Sequence, residues 1–133
     1  MKAADLYDCL EKDFKLSICT DDWYMEDKEY ITVNFKSRSM GLLYDNSDII
    51  NQVYTAVFPS NSVLQKIISD KVENTLLFVH HPLQWDMTKP IVFQGIPKST
   101  LQILKDLKIS IYNLHVPPPA TSPTVLLAIS VSP

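Results

Sequence analysis

Apolar and polar positions change period several times along the chain. Residues 2–13 place Ala3, Leu6, Tyr7 and Leu10 on one face at helical spacing, with Asp5, Asp8, Glu11 and Lys12 outside it, which predicts an amphipathic opening helix. The acidic stretch from Thr20 to Glu29 has no period and reads as an exposed loop, with Trp23 and Tyr24 either folded under it or offered to a partner. Ile31-Thr32-Val33-Asn34-Phe35 then alternates cleanly and predicts a strand with one wet face, suited to a sheet edge. Met40-Gly41-Leu42-Leu43-Tyr44 leads into Asp45-Asn46-Ser47-Asp48, whose side chains can bond their own backbone and so favour a turn.

From Ile49 the alternation becomes regular. Ile49 to Phe58 is strand-like, and Pro59-Ser60-Asn61-Ser62 supplies a proline and several N-cap candidates for a helix carrying Val63, Leu64, Ile67, Ile68 and Val72. Thr75 to Val79 is the next strand. After a loop holding Trp85, Pro90 and Gly95, Pro97-Lys98-Ser99 opens a helix with Leu101, Leu104 and Leu107 inward, and Ile109 to Leu114 is a third strand. The expected fold class is α/β: a β-α-β-α-β core with a mostly parallel sheet, helices packed on it, an N-terminal helix and an antiparallel edge strand. Helical crossovers make the three strands parallel, and right-handed connections put the ends after Phe58, Val79 and Leu114 on one edge if the strands lie in sequential order.

That edge is where open α/β sheets place ligands, and all three histidines of the chain are predicted to reach it. Leu76-Leu77-Phe78-Val79 runs into His80-His81-Pro82, and Ile109 to Leu114 runs into His115. Adjacent strand residues face opposite ways, so His80 and His81 serve one site only if the strand stops between them. Pro82 favours that, because it cannot donate to the ladder and holds its predecessor in an extended conformation. Neutral imidazoles suit zinc, iron, nickel or copper, with the pair binding one cation or one each of two. A metal site needs more than two ligands; His115 and Asp86 are the nearest candidates, and Asp45, Asp48 and Asp70 lie further off. The alternative is a histidine pair that closes a strand through hydrogen bonds.

Composition narrows the field. One domain is expected from 133 residues, enough to bury roughly two-thirds of the unfolded surface. A net charge of -3 without clustered Lys or Arg gives no footprint for nucleic acid or anionic lipid, so neither partner is expected. Cys9 and Cys19 have no zinc or redox spacing and read as reduced, buried thiols of a cytoplasmic protein. The first residues show neither a signal-peptide core nor an Arg-rich transit pattern, and no window approaches the roughly 18 apolar residues of a membrane span. Two glycines are too few for a phosphate-cradling loop. No serine or cysteine occupies a nucleophile elbow, and Asp21/Asp22 read as solvated.

The strand ending in His80-His81-Pro82-Leu83, followed by a short helix, a strand and Tyr112-Asn113-Leu114-His115, resembles the NIF3-like dinuclear-metal family, whose members are also described as GTP cyclohydrolase I type 2 homologues. Met40-Gly41-Leu42-Leu43 is similar to its Gly-Leu entry segment, and Val57-Phe58-Pro59-Ser60 with Val63-Leu64 to the strand-to-helix step before the histidine pair. The likeness covers about residues 40–116. It implies His80 and His81 as ligands of a centre of up to two divalent ions (zinc, iron or manganese), and His115 as an outer-sphere or substrate contact. The implied activity is metal-dependent hydrolysis of a nucleotide such as GTP. The implied assembly is a ring-like homo-oligomer, and the family name itself refers to a protein partner.

The chain departs from the family pattern in three places. The aspartate expected four residues after His115 is Pro119, the family's Asp-Pro step is Phe58-Pro59, and the histidine and glutamate of a C-terminal segment have no counterpart. Residues 117–133 carry no charge and five of the nine prolines, a composition unlike residues 1–116. The expected organisation is therefore one α/β domain over 1–116 and a Pro-rich tail over 117–133, in which Val125 to Val131 could form a strand; a truncated or altered end of a longer protein would explain it. A non-catalytic interaction or regulatory fragment of the same family is the alternative function.

Overall fold

A computed structural model describes residues 1–115. The boundary expected at 116, Pro119 and the strand expected over Val125–Val131 lie outside the described residues. The elements in chain order are helix α1 (Ala3–Asp13), helix α2 (Val33–Arg38), strand β1 (Gly41–Tyr44), strand β2 (Gln52–Ala56), helix α3 (Asn61–Ser69), strand β3 (Thr75–Val79), the short strands β4 (Gln84–Trp85) and β5 (Phe93–Gln94), helix α4 (Lys98–Asp106) and strand β6 (Ile109–Asn113). Four strands form one sheet in the order β1-β6-β3-β2, with β2, β3 and β6 parallel and β1 antiparallel at the edge. The mostly parallel α/β sheet is as the periodicity predicts, and its three parallel strands lie side by side in chain order.

Burial on both faces explains the near-continuous apolar strands. Leu77 and Val79 of β3 and Ile109 and Ile111 of β6 pack with Leu64 and Ile67 of α3 and Leu101 and Leu104 of α4. On the other face Leu76 and Tyr112 pack with Ala3 and Leu10 of the opening helix and with Phe14 just after it. Phe78 and Tyr112 stack across the sheet with ring centroids 5.7 Å apart. Leu77, Leu64 and Leu104 are fully buried, each contributing roughly 1.5–3 kcal/mol by leaving water. No helix among the described residues is long and apolar enough to cross a membrane.

Three expectations are corrected. Ile31–Phe35 is not a strand: the Thr32 hydroxyl accepts the Phe35 backbone N–H and caps α2, so Ile31 and Phe35 are buried one helical turn apart while Val33 is 79% exposed. Alternation over five residues satisfied both a strand and a capped turn, and the cap decided between them. The antiparallel edge strand is instead Gly41–Tyr44. The loop after the histidine pair contains an antiparallel hairpin, β4 with β5. Cys9 is exposed and Cys19 half-buried, so Cys9 in particular is not a core thiol.

Gly41 enters β1 at φ +95°, and a Cβ there would lie 2.5 Å from Arg38 Nη2. That guanidinium forms a two-point ion pair with Glu11 of α1 while its Nε donates to the Met40 carbonyl at 2.9 Å. Gly41→Ala should therefore cost about 1–3 kcal/mol through backbone strain alone, read as a lowered urea midpoint. A midpoint equal to the parent's would show that the turn relaxes without cost.

Candidate metal centre

The parallel ladder runs one rung beyond β3 and then bends. His80 N–H donates to the Ala56 carbonyl at 3.3 Å and His81 N–H to the Val57 carbonyl at 2.9 Å, two successive donors aimed at the same neighbouring segment. A regular strand would alternate sides, so alternation ends at His80 and both imidazoles can turn into one crevice. Buried Asn113 fixes the bend from β6: its Nδ2 donates to the His80 carbonyl at 2.7 Å and reaches that of Val79 at 3.5 Å. Leu114 N–H donates to the Val79 carbonyl at 3.0 Å, which carries His115 to the same place.

His80, His81 and His115 each offer a ring nitrogen, and the three atoms lie within 4.8 Å of one another. Two of the rings have their tautomer set by an acceptor. His80 Nδ1–H donates to the Leu114 carbonyl at 3.1 Å, and His115 Nδ1–H to Asp21 Oδ2 at 2.7 Å. Their Nε2 atoms are left with free lone pairs, the state a cation needs. His81 Nδ1 is buried with no hydrogen-bond partner, an orphan that a cation bound at that nitrogen or a small rotation of the ring would relieve. Burial holds the His81 pKa below the usual imidazole value, with the neighbouring His80 and His115 acting in the same direction and Asp21 opposing them. Three ring nitrogens in one small volume, two of them on rings oriented through Nδ1, fit a divalent cation such as zinc or iron.

Aromatic rings flank His81 and His115, while His80 is exposed. Phe58 stacks on His81 at 4.6 Å and 11°, and the Trp23 indole meets His115 and His81 edge-on at 5.2 and 5.7 Å. Trp85 packs against Phe58, and Phe93 against Trp23, both from the β4–β5 hairpin.

The aspartates expected from sequence divide differently. Asp86 accepts from the Thr88 N–H and hydroxyl at the hairpin tip, outside the cluster. Asp45 and Asp48 follow β1, which runs away from this edge, and Asp70 pairs with Lys66 beyond α3. Asp21, read as solvated, is the carboxylate that reaches the histidines, and Trp23 beside it is folded under the loop. No spacing in the sequence signals this, because 94 residues separate Asp21 from His115. Phe58 is legible as a strand end on the shared edge; Phe93 is not.

The family model Duf34/NIF3 (NGG1p interacting factor 3) matches residues 25–122. The crystal structure of TTHA1606 from Thermus thermophilus superposes with a TM-score of 0.55 at 20% sequence identity, over 88% of this chain and 41% of that one. The chain thus spans well under half the length of that structure, which shares its fold. No curated protein matches. Asp21 and Trp23 lie upstream of the matched segment, whereas all three histidines lie within it.

In the metal-free chain the unfolded state binds more protons than the folded one between the lowered His81 pKa and the ordinary value of about 6.5. Stability contributed by His81 is therefore present above about pH 6.5 and lost as pH falls through its folded-state pKa. Thermal melts of chelator-treated protein should show this acid-side loss, reduced in His81→Phe, which keeps a ring against Phe58. Identical pH slopes in the two proteins would contradict the assignment.

Proposed function

The chain belongs to the Duf34/NIF3 family, and from that membership and the cluster of three imidazoles we propose that it is a metal-binding protein with a hydrolase-type site. The observation that carries the reading is the set of three ring nitrogens within 4.8 Å, two of them on rings oriented through Nδ1. His80, His81 and His115 would hold one divalent cation, with His115 serving as third ligand. A bound cation of this kind supplies Lewis acidity and lowers the pKa of a coordinated water towards neutrality.

The residues around it suit a nucleotide-like substrate. Trp85 and Phe93 are 50% and 42% exposed beside the cluster, so their rings can take a planar base without first being uncovered. Phe58 and Trp23 are packed against His81 and His115 and keep bulk water off their faces. The fuller ligand set implied by the family resemblance is not present among the described residues, and one ion rather than two is the expected occupancy.

Elemental analysis of the purified chain tests this. About one equivalent of zinc, iron or manganese is expected, with near-complete loss in a His80→Ala/His81→Ala double variant and weakened retention in His115→Ala. A metal-free parent that takes up no zinc on titration would overturn the reading. Metal-loaded protein incubated with GTP should release product in proportion to occupancy, and loaded protein that turns over no nucleotide would leave only the binding function.

A second role, association through the hairpin, rests on a separate observation. Met87 and Ile91 are 73% and 72% exposed at the tip of the β4–β5 hairpin, beyond the rings of Trp85 and Phe93, an apolar pair of the sort that marks contact surfaces. The occupant proposed is a second copy of the chain. Light scattering should find the parent above its 15.2 kDa monomer mass, and Met87→Ser/Ile91→Ser should return it to monomer. A monomeric parent would rule this out.

A further inference from the structure

We propose that Asp21 is a positioning residue for His115: it fixes the Nδ1–H tautomer and turns Nε2 into the cluster, and so strengthens metal binding. The inference rests on the metal-binding reading for its consequence, but its geometry stands on the chain alone. Asp21 Oδ2 accepts from His115 Nδ1–H at 2.7 Å and from Trp23 Nε1–H at 2.9 Å, and Oδ1 accepts the Asp22 backbone N–H at 2.8 Å. Both carboxylate oxygens are thereby engaged. The group faces the outer nitrogen of His115 rather than the crevice, which makes it a support for a ligand and not a ligand itself.

Its placement is built from two directions. Asp21 N–H donates to the Arg38 carbonyl at 2.9 Å, and the Arg38 guanidinium is locked to Glu11 of α1, with its side chain only 14% exposed. The Trp23 indole donates to the same Oδ2 while its ring stands nearly perpendicular to that of His115, with centroids 5.2 Å apart. The His115 and Asp21 side chains are 28% and 22% exposed, so the pair is screened less than a surface ion pair would be. A carboxylate behind an imidazole raises the basicity of the opposite nitrogen and removes the rotational freedom that binding would otherwise have to arrest.

The parent chain, Asp21→Asn, Asp21→Ala and a neighbouring control, Asp22→Ala, are compared by two measurements. Long-range proton–nitrogen correlations on metal-free protein near pH 8 should report the Nδ1–H tautomer of His115 in the parent, in Asp22→Ala and in Asp21→Asn, whose amide oxygen still accepts. Asp21→Ala should lose it. Competition with a chromophoric chelator for zinc should show a roughly ten- to hundredfold weaker affinity for Asp21→Ala, an intermediate loss for Asp21→Asn and no loss for Asp22→Ala.

Circular dichroism separates these effects from unfolding, and the tautomer of a folded variant is not moved by a merely structural role. An unchanged His115 tautomer in folded Asp21→Ala, or a zinc affinity within about twofold of the parent's, would overturn the proposal. A parent that binds no zinc while Asp21→Ala still loses the tautomer would overturn the metal-binding reading and leave the positioning role standing.

Discussion

The parallel pairing of β3 with β6 is the constraint on which the rest of the site depends. Residues Thr75–Val79 run in register with Ile109–Asn113, so His80 and His115 leave the sheet at nearly the same level. An antiparallel pairing would have put them at opposite ends. The pairing in turn requires a crossover, and α4 supplies it with Leu101 and Leu104 buried against the sheet. Fully buried strands follow from that, because helices cover both faces and every residue of β6 is buried. The polar side chain at the end of β6, Asn113, is spent on the carbonyls that the bending β3 backbone exposes.

This explains why so much of the centre could be read from the chain. The apolar runs with helices between them dictate parallel strands, parallel strands dictate a common edge, and the residue after each run is then assigned to that edge by topology. His80, His81 and His115 follow from this chain of steps, whereas Phe58, read as the last residue of a strand, lies two residues past the end of β2. Pro82 marks the point where strand geometry ends, and the bend it accompanies brings the histidine pair onto one side. The resemblance to the NIF3-like family rests on those same residues and is matched by the family model.

What escaped the sequence has a common physical character. Asp21 and Trp23 lie in a loop without period, where neither hydrophobic spacing nor turn chemistry carries positional information, and their partners are distant in the chain. The misread segment at Ile31–Phe35 failed for a related reason: a two-residue period and an N-capped turn differ there only in the fate of Val33, which tertiary packing leaves outside. The exposed Cys9 follows from α1 itself. The face that meets Tyr112 is filled by Ala3, Leu10 and, more distantly, Tyr7, whose ring centroid lies 6.1 Å from that of Tyr112, so a residue two positions beyond Tyr7 turns outward.

Crowding three imidazoles whose ring centroids lie 4.6–5.0 Å apart carries an electrostatic consequence. Adjacent protonated rings repel strongly in a partly dry crevice, so the arrangement favours at least one neutral ring, and His81, packed against Phe58 and flanked by both others, is the ring pushed that way. The opposing charge available is the Asp21 carboxylate, which sits behind His115 and not between the rings. A carboxylate among the rings would, with no cation bound, stabilise their protonated forms and so occupy the lone pairs with protons. Placed behind one ring, it orients that ring while the crevice keeps its open nitrogens, and that separation of roles leaves the cluster able to hold a cation.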